Sequence, residues 1–68
     1  MNDDVFNMSI RKYLKKIGIN SQREIEQAVR QALEDGRLTG SETLAVKVTL
    51  ELPEIDLCES IEGTIALE

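Results

Sequence analysis

The chain is 68 residues long, carries 8 basic and 13 acidic side chains for a net charge of −5, and contains one cysteine and no histidine. That length holds one domain at most, burying roughly 60% of the surface its unfolded chain exposes. The lone cysteine excludes an intramolecular disulfide, the lack of histidine removes the common zinc ligand sets, and the acid excess argues against nonspecific nucleic-acid binding by the whole surface.

Small domains compensate for a thin core with disulfides, a metal or oligomerisation. With the first two closed, elimination predicts a homodimer. The charge is uneven. Residues 1–40 hold seven basic and six acidic side chains, a net of +1, and residues 41–68 hold one basic and seven acidic, a net of −6. A near-neutral first half and an acidic second half can attract each other between copies. No run approaches 18 consecutive apolar residues, and the acidic Met1-Asn2-Asp3-Asp4 start is unlike a secretory signal, so no membrane association is expected. An unpaired thiol fits a reducing compartment. The expected location is the cytoplasm.

In chain order, residues 3–17 read as a first helix. Asn2, Asp3 or Asp4 can cap it, and acids suit the positive end of its dipole. Phe6, Ile10, Tyr13, Leu14 and Ile17 form one helical stripe. Arg11, Lys12, Lys15 and Lys16 fall on the opposite face at about 100° per residue. Gly18 reads as a left-handed stop.

A second helix is expected over 22–35. Ser21-Gln22-Arg23-Glu24 has the form of a capping box. Ile25, Ala28, Val29, Ala32 and Leu33 follow at helical spacing. Glu26 and Arg30 stand as an i,i+4 pair, worth a few tenths of a kcal/mol. Gly36 ends the helix as the residue just past its cap. The short joint Gly18-Ile19-Asn20 predicts a helical hairpin or a helix-turn-helix corner.

Residues 36–42 read as a loop by their Gly, Ser and Thr content. The next stretch organises the chain. Leu44, Val46, Val48, Leu50 and Leu52 alternate with Ala45, Lys47, Thr49 and Glu51, which predicts a half-buried strand over 43–52. Burying its five large apolar residues is worth roughly 1.5–3 kcal/mol each, but a lone two-stranded ribbon still needs a cover. Pro53 ends the strand because proline cannot donate to a ladder.

Alternation resumes at Ile55, Leu57, Glu59, Ile61, Gly63, Ile65 and Leu67. A tight turn at Pro53-Glu54 would pair 52 with 55 and set Glu59 opposite Val48. A loop over 53–60 would pair 52 with 61 and give Val48–Ile65 and Val46–Leu67, with Gly63 opposite Leu50. Register follows the apolar pattern, so the second is preferred, with a strand over 61–67. The expected fold is therefore α+β: a two-layer α-α-β-β domain over 1–68, a helical hairpin packed on an antiparallel β-hairpin. Open edges predict a sheet extended to four strands across a two-fold homodimer.

The run Met8-Ser9-Ile10-Arg11-Lys12-Tyr13-Leu14-Lys15-Lys16-Ile17-Gly18-Ile19, with Ser21-Gln22-Arg23-Glu24-Ile25-Glu26, resembles the opening of a family of short bacterial proteins classed only as a domain of unknown function. The Gly63–Glu68 ending is similar too, so the resemblance covers nearly the whole chain. It implies a bacterial, cytoplasmic, free-standing domain. It implies no activity, cofactor or site residue.

Four features stand as candidate sites. The basic face of Arg11, Lys12, Lys15 and Lys16 could meet nucleic acid, an anionic surface or an acidic partner, against the plain reading of a solvated helix face. A winged helix-turn-helix would use Ser21–Asp35 as recognition helix and 44–67 as wing. It lacks a third helix, and its wing is acidic and repelled by phosphates. Glu54, Asp56, Glu59 and Glu62 cluster as oxygen ligands, but without EF-hand spacing or its glycine. Their plain reading is a solubilising loop that also guards an aggregation-prone strand. Cys58 has no basic neighbour in sequence to lower its pKa. Nothing matches a phosphate loop or nucleophile elbow. The expectation is no enzyme, no cofactor and no metal, but a homodimeric protein-interaction module. The alternative is a nucleic-acid-binding accessory domain that uses the basic face of the first helix.

Overall fold

The computed structural model describes residues 1–68 and divides them into two units, Met1–Arg37 and Leu38–Glu68. The element order is helix, strand, short 3-10 turn, strand, an α+β fold.

The first unit is a single helix, α1, spanning Asp3–Glu34 without interruption. This corrects the expectation of two helices, 3–17 and 22–35, and removes the helical hairpin. Gly18 does not take a left-handed conformation; the positive-φ residues are Gly36, Gly40 and Asp56. The reason is hydrogen-bond economy. A break at 18–20 would orphan four carbonyls and four amides, and a capping box answers only two of those donors. Gly18 within a helix costs only about 0.5–1 kcal/mol. The apolar stripe also keeps its phase through the joint. It runs Phe6, Ile10, Leu14, Ile17, Ser21, Ile25, Ala28 and Ala32 in steps of three and four.

Both ends of α1 are closed. Asn2 is the N-cap, its side-chain oxygen accepting from the Val5 amide at 3.1 Å, and Asp3 and Asp4 occupy the first turn. At the other end Gly36 stands at φ 79°. Its amide donates to the Leu33 carbonyl at 3.3 Å, and the Arg37 amide donates to the Ala32 carbonyl at 2.9 Å. That is a Schellman closure. The Arg37 side chain bonds Asp35 at 3.0 Å, the one ion pair of the chain. Glu26 does not pair with Arg30; it accepts from the Gln22 side-chain amide at 2.9 Å.

The second unit is an antiparallel hairpin of β1, Thr43–Leu52, and β2, Leu57–Ala66. Between them Pro53–Ile55 forms a 3-10 turn, with Asp56 in the left-handed region at φ 57° and its amide donating to the Pro53 carbonyl at 3.3 Å. Leu52 faces Leu57, and Val48 faces Ile61. Both registers weighed from the sequence are thereby corrected, as is the start of the second strand at 61. Turn chemistry set the register. Proline fixes the first turn residue and aspartate tolerates the left-handed one, giving a four-residue connection. The consequence is that Glu59 sits opposite Leu50 and Gly63 opposite Val46.

Directly opposed residues share a face. One face therefore carries Leu44/Ile65, Val46/Gly63, Val48/Ile61, Leu50/Glu59 and Leu52/Leu57. The other carries Thr43/Ala66, Ala45/Thr64, Lys47/Glu62, Thr49/Ser60 and Glu51/Cys58. In the whole chain only Ala32 is buried, at 8% exposure.

Candidate functional site: a basic helix face and two uncovered apolar faces

The helix places Arg11, Lys12, Lys15 and Lys16 on successive turns, and all four are exposed. None makes a hydrogen bond or ion pair within the chain. At about 100° per residue they are not equivalent. Lys12 and Lys15 lie on the far side from the stripe. Arg11 flanks it beside Leu14, and Lys16 flanks it on the other side beside Tyr13. Lys12, Lys16, Ser9 and Tyr13 line one shallow groove, and Asp4, Val5, Met8, Ser9, Lys12 and Lys15 line another. From Val5 to Arg23 the helix holds no acidic residue, so this half is a cationic surface with unengaged charges.

The stripe itself is open. Phe6 is 52% exposed, Tyr13 56% and Leu14 54%. On the hairpin, Val48 is 43% exposed and Ile61 59%. An apolar sheet face and an apolar helix stripe are both present, each able to cover the other kind of surface.

Glu59 is the one charged residue on the apolar sheet face. The sequence signalled it as an exception in the alternation. The preferred register kept it in the loop, so its place among Leu50, Leu57 and Ile61 was missed.

Glu42 was also missed. Its carboxylate accepts from the Thr39 amide at 2.9 and 3.1 Å and from the Gly40 amide at 2.9 Å. These amides favour the ionised form and hold the carboxyl below its ordinary value of 4.5. The Glu42 carbonyl in turn accepts from the Leu67 amide at 2.9 Å. The carboxylate thus ties the loop down where β1 begins. This is a folding device, and its only sequence sign is a glutamate after Thr39-Gly40-Ser41.

The helix-turn-helix corner that a winged DNA-binding domain needs does not form, because α1 is continuous. Glu54, Asp56, Glu59 and Glu62 do not come together as a group of three ligating side chains. Glu59 and Glu62 stand on opposite faces of the hairpin. Cys58 is exposed on the polar face across from Glu51. No helix is long and apolar enough to cross a membrane.

These features define a small α+β protein of one long helix and one hairpin, each carrying exposed apolar side chains. The whole chain, residues 1–68, matches the model described as "Family of unknown function (DUF6494)", and the protein belongs to that family. No curated protein and no solved structure matches it.

Proposed function

We propose that this protein is a non-catalytic homodimeric protein-interaction module of the cytoplasm. The observation that carries the reading is the exposure of Phe6, Leu14, Val48 and Ile61 on two apolar faces, in a chain with a single buried residue. Covering each such side chain is worth roughly 1.5–3 kcal/mol. A two-stranded hairpin is marginal alone and has two open edges. A second copy supplies both missing parts, and edge pairing across a two-fold axis extends the sheet to four strands. The unengaged Lys12 and Lys15 then face outward, and their chemistry suits an acidic segment of a partner protein.

Two substitution sets test this. Val48→Lys with Ile61→Lys places charge on the apolar sheet face and is expected to convert dimer to monomer. Lys12→Glu and Lys15→Glu together are expected to leave the dimer intact and abolish capture of an acidic partner. Dimer loss in the second set, or its retention in the first, contradicts the reading.

One observation favours a second reading. Tyr13 lies exposed in the groove shared by Lys12 and Lys16, and an aromatic ring among cations can stack a nucleic-acid base. That reading requires binding to single strands at low salt that weakens steeply as salt rises. No binding at low salt rejects it.

A further inference from the structure

The two uncovered faces complement each other in charge as well as in polarity. The apolar sheet face carries one carboxylate, Glu59, between Leu57 and Ile61 along β2 and opposite Leu50. Glu59 has no hydrogen-bond or ion-pair partner within the chain. The helix stripe Phe6, Ile10, Leu14 and Ile17 carries no acid, and the cations on its two flanks, Arg11 and Lys16, are equally unengaged. Dimensions agree. Residues 6–17 span about 17 Å of helix at 1.5 Å per residue. Ten-residue strands span about 33 Å, so the half-helix fits on the sheet face. Gly63 opposite Val46 leaves a dip in that face, because a Cβ built at Gly63 would meet only Val46 Cγ1, at 3.8 Å.

We propose that the dimer is reciprocal: the stripe of each copy's α1 covers the apolar sheet face of the other copy's hairpin, with Arg11 and Lys16 neutralising Glu59 across the interface. The occupant of each open face is thus a second copy. This rests on the self-association reading above and specifies its contacts. A carboxylate covered by apolar surface needs a cation beside it, and this helix delivers one at either edge of the surface that covers it. Burying Glu59 without them would work against the dimer.

Charge reversal in trans tests it. One variant carries Arg11→Glu and Lys16→Glu; the other carries Glu59→Lys. In each variant alone the interface sets like charges together, and the dimer dissociation constant is expected to rise by at least about tenfold. Mixed in equal amounts, each copy meets the opposite charge at both contacts, and dimers of wild-type affinity are expected, read by sedimentation and by heterodimer mass. Helical circular dichroism checks that each variant is folded, and Glu59→Gln gives a milder, folded comparison with a smaller loss. A wild-type dimer whose variants stay weak on mixing overturns the reciprocal contact and leaves self-association standing. A wild-type monomer overturns both.

Discussion

Glu59 faces Leu50 directly across the hairpin, so the single carboxylate of the apolar face is set by the turn at Pro53–Asp56 and not by the alternation of the strands. This register has a direct test. Cross-strand proton contacts by NMR are expected between Val48 and Ile61 and between Val46 and Gly63. Contacts between Val48 and Ile65 would restore the longer loop and take Glu59 out of the sheet.

The continuity of α1 turns on Gly18. A Cβ there meets nothing within 4 Å, and the position has ordinary helical backbone. Gly18→Ala is therefore expected to stabilise the helix by about 0.5–1 kcal/mol, and Gly18→Pro to weaken it by about 3 kcal/mol. Urea unfolding followed by circular dichroism reads both. A destabilising Gly18→Ala would mean that the chain turns there.

Gly36 behaves in the opposite sense. Its φ of 79° is a conformation that L side chains rarely adopt, and left-handed geometry costs them roughly 1–2 kcal/mol. Gly36→Ala is expected to destabilise by about that much, and Gly36→Asn by less. Equal stability of wild type and Gly36→Ala would reject the Schellman closure at Arg37.

Glu42 makes the loop before β1 sensitive to acid. Its folded pKa lies below the ordinary 4.5, held down chiefly by the Thr39 amide and then by the Gly40 amide. A depressed carboxylate contributes stability that is present above its unfolded pKa and is lost as pH falls through its folded pKa. The Thr39 and Gly40 amide resonances are expected to titrate together with a midpoint below 4.5, and not to titrate in Glu42→Gln. A midpoint at or above the ordinary value would contradict the bonding.

Much of the fold was legible where one physical signal dominated. The alternation from Leu44 to Leu52 defines the apolar face of β1, and Asn2 and Gly36 mark the two ends of the helix. Legibility failed where two local signals competed. Gly18 and the Ser21–Glu24 box suggested a stop, but the orphaned backbone groups and the unbroken stripe favoured continuation. Glu59 suggested a loop, but Pro53 and Asp56 fixed a short turn. The basic residues were legible as a face. Their division into flanking Arg11 and Lys16 and outward Lys12 and Lys15 follows from helical spacing once α1 is known to run unbroken through them. Glu42 left almost no trace, since its role depends on backbone amides that sequence does not display.

Sedimentation equilibrium from low to high micromolar concentration tests the central claim most directly. The account predicts a particle of twice the chain mass, because the exposed faces around Phe6, Leu14, Val48 and Ile61 are covered by a second copy. A single-chain mass throughout that range would contradict it.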